Sequence, residues 1–584
     1  MSPVRSSYAF RRARVKKTVP LICYILSTMR EKTTSGLSDR RLWLIVCAAF
    51  AIRCAWLSRY VHVIENEGAD YARLARNLLS GNGYVGMLGG PETIFPPLYP
   101  MLIGAVSVVT GDTETAGRLI SLAMGTLLPV PMFLLTEMVF ERRAALAAAS
   151  IAAVSPMLIA LSCSVYSEGI YFTLWLTGIY FAMRTLRGDE VRYAALSGLF
   201  FGFAYLVRPE AMGYALLAAI WILAAVVFRK STIRSALPRA TAVILVTLVM
   251  AAPYVAWLSI NTGKIHLEGK SAYNNITTRR IHQGMVYSEA TRGLGPKGDP
   301  EGPHLYSDQF EILKKETSGG RSLFSNILQD LPRRFLKLGW KAATLRSLGS
   351  PTLVILAMAG FFTTRMGNRK FLFEGFLLSI VAGYFLVLLS IAVMWPRYLF
   401  PLALLLVPWA GGGVSRISRW IQDFVGGRSG GKSFLSGLAT GAAVCLMLAG
   451  IAIPSVGAVL RTDEFTMSRI TILKDAGRWL DGYKGGEKTI MGNSYVLVHY
   501  SRGTLNYLPY ASGPRALEYI RKKHPDFISL YSIDPAPYIK EWMQSGIPDP
   551  CAREIKHFQQ GDELGDYPDT RKIILYEWVC PEKR

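Results

Sequence analysis

Apolar runs long enough to cross a bilayer recur from residue 42 to residue 454. They fall near 42–64, 97–112, 117–140, 144–165, 167–184, 191–207, 210–228, 240–260, 347–363, 371–394, 397–413 and 434–454. Between them lie short basic connections: Glu141-Arg142-Arg143, Arg184 to Arg192, Arg229 to Arg239, Arg365 to Lys370 and Arg416 to Lys432. Short Lys/Arg-rich loops are retained in the cytoplasm, so these connections orient most of the spans. They put the segment after residue 64, the loop 261–346 and the chain beyond residue 455 on the opposite, extracytoplasmic face. Seven runs separate residue 64 from residue 261, yet both ends need the same side. The short run 97–112, which opens with Pro96-Pro97-Leu98-Tyr99-Pro100, is expected to be re-entrant or interfacial, leaving about eleven crossings.

Outside the spans the pattern changes. Residues 1–41 form a basic cytoplasmic tail, unless Met29 is the true start; its apolar run Val19 to Met29 is too short to span and lacks a cleavage site. Loop 261–346 has a Gly/Pro-rich centre (Leu294 to Pro303), and Leu331 to Trp340 reads as a basic amphipathic helix on the membrane surface. Residues 455–584 alternate between helical and strand patterns: helix Ile470 to Leu480, strand Lys488 to Met491, helix Pro514 to Lys523, strand Asp526 to Tyr531, helix Ala536 to Gln544 and strand Lys572 to Val579. The expected fold is a polytopic α-helical membrane protein, its core at 42–454, with a small extracytoplasmic α/β domain.

Composition agrees with this. Of 584 residues, 51% are hydrophobic, and mean hydropathy is +0.27, too apolar for an ordinary soluble protein. The net charge of +24 does not point to nucleic acid, because the basic runs are dispersed among the short loops. Cys47, Cys54, Cys163 and Cys445 lie in spans, where they serve as small apolar filler. Cys551 and Cys580 share the C-terminal domain and could pair there if that domain is extracytoplasmic.

The strongest chemical signal is Glu65-Asn66-Glu67-Gly68-Ala69-Asp70-Tyr71, where the first span empties into three carboxylates on a short amphipathic helix. Carboxylates at a membrane face are costly unless solvated, paired or metal-bound, which suggests chemistry near a lipid headgroup. Tyr71, Leu74 and Leu78 share one face of this helix, and Asp70, Arg73 and Asn77 an adjacent one. Asp70 with Arg73 reads equally well as a solvated i,i+3 pair. Ser167-Glu168, Arg208-Pro209-Glu210 and Trp395-Pro396-Arg397-Tyr398 also sit at extracytoplasmic ends of spans. Each is either an interfacial anchor or part of a site for a phosphate-bearing lipid and a sugar. One phosphate-loop pattern, Gly426 to Ser433, follows an amphipathic stretch and opens an apolar span, so it reads as a cytoplasmic linker.

These residues resemble the GT-C superfamily of membrane glycosyltransferases, which includes protein O-mannosyltransferases and lipid A aminoarabinose transferases. The bacterial galacturonosyltransferase-like branch is the nearest. The resemblance rests on Glu67, Tyr71, Leu74 to Leu78, Gly81 to Tyr84, Pro96 to Pro100, Arg118-Leu119, Ser155-Pro156, Ser167-Glu168, Arg208 to Glu210 and Arg397 to Pro401, across about 42–420. It implies sugar transfer from a polyprenyl-phosphate donor to a lipid, polysaccharide or protein acceptor at the extracytoplasmic face of a bacterial plasma membrane, with inversion. Glu67 would be the general base. Asp70, Tyr71, Tyr99, Glu168, Arg208, Glu210, Arg397 and Tyr398 would bind substrate. A divalent cation, Mg²⁺ or Mn²⁺, could bind Glu67 and Asp70, with Glu65 a further candidate ligand. The family usually places Asp where Glu67 stands, and a Lys near the proline cluster where Phe95-Pro96-Pro97 offers none, so Arg208 or Arg397 is expected to substitute. A transporter or lipid flippase is the rival reading and calls for repeated halves or a central charged cavity. A scaffold would leave the first-loop carboxylates in solvent.

Overall fold

The computed structural model describes residues 37–188, 190–229, 232–316, 350–362, 368–390, 396–428, 433–460, 471–560 and 571–580. The N-terminal tail up to residue 36, the stretch Leu331 to Trp340, Trp395 and the glycine-rich stretch 429–432 lie outside these residues.

Helices pack side by side as the apolar runs require. The first, Arg40–Tyr60, is capped by Asp39, whose carboxylate accepts from Arg41 N at 3.0 Å and pairs with Arg142 at 2.9 Å. At the same end of the bundle Glu141 meets Arg419 at 3.3 Å, and Arg239 donates to Gly188 O at 2.9 Å. Among the described residues, the connections at Arg142, Gly188, Arg239 and Arg419 therefore gather at one end. Arg142–Val154 and Pro156–Cys163 meet at a 54° bend, because Pro156 can neither donate to the helical ladder nor fit against the preceding turn.

By length and apolar composition, seven described helices can cross a membrane, or eight if the bent pair is one span. That is fewer than the expected eleven or so, since helices such as Val191–Tyr205 and Pro351–Phe362 are short. Leu98–Thr110, in the run expected to be re-entrant or interfacial, begins and ends at the end opposite the basic connections. Leu98 N donates to Leu206 O at 2.9 Å, and Asp112 beyond its other terminus faces His499 of the C-terminal domain.

The C-terminal domain is a five-stranded sheet in the order β2-β1-β3-β5-β4. Its strands are β1 (Thr489–Gly492), β2 (Thr504–Tyr507), β3 (Phe527–Tyr531), β4 (Ala552–Gln560) and β5 (Arg571–Trp578). β1 pairs in parallel with β2 and β3, while β5 runs antiparallel between β3 and β4. The patterns for β1, β3 and β5 were legible, and Ile490, Phe527, Ile528, Ile573 and Leu575 are fully buried. β4 was missed because its residues alternate poorly and it is a half-exposed edge strand held by β5. β2 is only four residues long, and Tyr495–Ser501 is a helix capped by Ser494.

This domain is clamped to the membrane part. Leu505 N donates to Met87 O at 2.9 Å, Arg73 reaches Thr504 Oγ1 at 3.1 Å, and Tyr510 N donates to Arg292 O at 2.9 Å. Arg292, almost wholly buried, is held by Asp534 at 2.9 Å.

Cys551 and Cys580 form a disulfide across 29 positions, with Cα atoms 5.1 Å apart. Closing a loop of that size should stabilise the domain by about 3 kcal/mol. Replacing both cysteines by Ser should therefore make β4 and β5 the first protease-sensitive part of the domain. Unchanged proteolysis kinetics would contradict this.

Candidate active site

The first-loop helix Asn66–Leu79 sets the site. Glu65 precedes its first turn, but its side chain turns away and accepts from Val165 N at 3.0 Å, buried to 2% exposure. Gly68 explains how close the helix can come. A Cβ there would lie 2.8 Å from both Val165 Cβ and Val165 O, so a larger residue would push the helix off the Ser164–Ser167 turn. That contact brings Glu67, in the first turn and favoured there by the helix dipole, against the ends of three other elements.

Arg397, on the short turn Pro396–Leu399, grips Glu67 with both guanidinium nitrogens; Nη1 lies 3.2 Å from Oε2. Its guanidinium sits 5.1 Å from the Tyr166 ring and 5.5 Å from the Tyr398 ring. Arg208, in the break between Val191–Tyr205 and Ala211–Arg229, is fixed by Glu168 and by Glu210, each at 2.7 Å. Lys270 opens the helix Lys270–His282 from the long loop. Glu67, Tyr71, Phe95, Ser167, Arg208, Lys270 and Arg397 line one small cleft. Burial raises the Glu67 carboxyl, but Arg397, Lys270 and Arg208 outweigh it and hold the group below its ordinary value.

The cleft thus joins Glu67, Tyr71, Arg208 and Arg397 of the expected site residues. Glu168 and Glu210 brace Arg208, and Tyr398 lies against Arg397. Two expectations need correction. Tyr99 is fully buried outside the cleft, its hydroxyl donating to Gly117 O at 3.1 Å and meeting Ser121 Oγ at 2.7 Å. Asp70 is neither solvated nor turned to the cleft: it is 3% exposed and accepts from Met87 N at 2.8 Å, while Arg73 reaches Thr504 instead. Lys270 was missed, since a single Lys in a long loop carries no pattern that ties it to Glu67.

The donor set does not fit the expected cation. Among the described residues no three His, Cys, Asp or Glu side chains converge as a metal site. Glu65 and Asp70 point elsewhere, and Glu67 is already matched by a guanidinium.

The family pattern described as dolichyl-phosphate-mannose-protein mannosyltransferase matches residues 95–257. Among solved structures, the chain is similar to the archaeal oligosaccharyltransferase AglB from Archaeoglobus fulgidus, solved with an inhibitory peptide and a dolichol-phosphate. That match has a TM-score of 0.57 at 14% identity and covers 85% of this chain and 69% of that one. It is also similar to ArnT from Cupriavidus metallidurans, solved with undecaprenyl phosphate: TM-score 0.51 at 14% identity, covering 92% of this chain and 98% of that one. The apo form of that protein gives a TM-score of 0.54 at 13% identity. The chain shares the fold of these two proteins. No curated protein matches it. Within this fold the cleft lies where the first loop, the long loop and the ends of the helices meet.

Asp70 and Glu92 form a buried carboxyl pair beside the cleft, both within reach of Gly86. Glu92 accepts from Ile94 N at 2.6 Å and Gln309 Nε2 at 2.7 Å. Burial, reinforced by Asp70, pushes Glu92 up to about 8; burial, reinforced by Glu67, pushes Asp70 up to about 6. Both folded values exceed the ordinary ones, so the stability these groups contribute is present in acid and lost as pH rises through 6 and then 8. The thermal midpoint should fall as pH rises from about 4 to about 8, and Glu92→Gln should flatten the part above 6. An unchanged slope in the variant would refute the assignment.

Proposed function

We propose that the chain is a glycosyltransferase that takes a hexosyl or pentosyl group from a polyprenyl-phosphate donor and passes it to a cell-envelope acceptor. It works in the bacterial plasma membrane with its cleft extracytoplasmic and about eleven spans in the bilayer. One observation carries the reading: a carboxylate and three cations from four distant segments share a single cleft. The cleft lies at the end opposite the basic connections, the end an outward orientation exposes. The Cys551–Cys580 disulfide supports an oxidising surrounding for the attached domain.

The donor's phosphate fits between Arg397, Arg208 and Lys270, whose charges stabilise the leaving lipid phosphate as its bond to the anomeric carbon breaks. Glu67 takes the proton of the acceptor hydroxyl while that oxygen bonds to the anomeric carbon on the opposite face, which inverts it. In the free protein Arg397 lowers the basicity of Glu67. A bound phosphate competes for the same guanidinium and returns basicity to the carboxylate when it is needed. Glu168 and Glu210 keep Arg208 in place without entering the chemistry. The charges collect at one end of the helices, where a transporter would place them near mid-bilayer.

Two variants separate the roles. Glu67→Gln should lower transfer of radiolabelled sugar from a polyprenyl-phosphate donor by roughly 10²–10⁴-fold while still binding undecaprenyl phosphate. Equal transfer by variant and wild type would remove Glu67 as the base. Arg397→Ala should weaken undecaprenyl phosphate binding by roughly 10- to 100-fold, and Lys270→Ala by about tenfold. Unaltered affinity in both would take the phosphate out of this cleft.

A further inference from the structure

Beside the cleft, aromatic side chains continue outward from Arg397. Tyr398 follows it in sequence, and Tyr287 lies close enough to sense both Tyr398 and Glu67. Tyr287 shares a hydrogen bond with Tyr273, which also bonds His304 Nε2. The His304 ring stacks on Tyr273 at 5.4 Å and on Tyr507 of the C-terminal domain at 4.6 Å, and Tyr507 meets Tyr495 edge-on at 5.8 Å. The wall therefore spans the turn at Tyr398, the long loop and β2. Tyr287 is 39% exposed, while Tyr273, which stacks on His304, and Tyr398, beside Arg397, are half-buried, so Tyr287 offers the most open surface.

We infer that the acceptor is an uncharged saccharide laid against Tyr398, Tyr287 and Tyr273, with the hydroxyl to be glycosylated directed at Glu67. This rests on the glycosyl-transfer reading above and narrows its acceptor. The chemistry of the wall carries it. Aromatic faces match the C–H faces of sugar rings, and phenol and imidazole edges supply hydrogen bonds to sugar hydroxyls. Half-buried His304 is held down at about 3 by desolvation and by Arg292 and is neutral, and Arg292 is itself paired with Asp534. The cations that would draw a phosphate lie on the donor side, in the cleft.

The test uses the full-length protein in detergent, with maltotetraose, cellotetraose and a mannotetraose as saccharide probes. A neutral Ser/Thr-containing hexapeptide is the comparison, and saturation-transfer NMR reads binding. At least one tetrasaccharide should bind the wild type, and Tyr287→Ala should weaken it about tenfold. Tyr287→Trp, which keeps a stacking face, should stay within about threefold of wild type. Retained undecaprenyl phosphate binding in both variants certifies that they are folded. Saccharide binding indifferent to Tyr287→Ala, binding of the peptide alone, or no binding by any tetrasaccharide would each overturn the inference. Failure of the wild type to bind undecaprenyl phosphate is a separate result that strikes the donor cleft rather than the wall.

Discussion

A carboxylate at the edge of a bilayer must be solvated, paired or neutralised, and here the first-loop acid is paired. Glu67 and Arg397 stand 330 positions apart and meet in one ion pair that ties the first loop to the last third of the membrane part. Either charge left alone at that depth would be expensive, so each requires the other's segment in place. The pair also explains the Gly68 contact. Only a residue without a side chain lets the first-loop helix seat against the Ser164–Ser167 turn and carry Glu67 to Arg397.

The same logic extends through the second arginine. Arg208 has a carboxylate on either side, and Glu168, 3% exposed, is matched by its bond to Arg208. Lys270 is left to act on the cleft itself and on Glu67. The result is a cluster in which three cations balance three carboxylates, with Glu67 held ionised among them. On the function proposed above, these cations would face the lipid-phosphate leaving group and Glu67 the acceptor.

The C-terminal domain does more than cap the molecule. Its helix Tyr495–Ser501 places Tyr500 between Ile64 N, at 3.1 Å, and Glu114, at 2.9 Å, just before the turn that carries Glu67. β2 engages the first loop, and Arg292 anchors the long loop through Asp534. Each contact fixes a segment that contributes to the cleft or its aromatic border, so the domain helps define the site's shape.

Hydropathy, which reports burial directly, was enough to mark most helices. Order along the chain singled out Glu67, Tyr71, Arg208 and Arg397, because breaks between apolar runs mark span ends. β4 stayed hidden, since an edge strand draws its order from its neighbour rather than from its own alternation. Tyr99 and Asp70 looked equivalent to their neighbours until packing turned one hydroxyl onto Ser121 and one carboxyl onto Met87. Lys270 became visible only when the long loop folded back over the helices. Sequence alone determined which residues could sit at the membrane face; the tertiary structure decided which of them meet, because charge pairing and close contact act across segments that no local pattern connects.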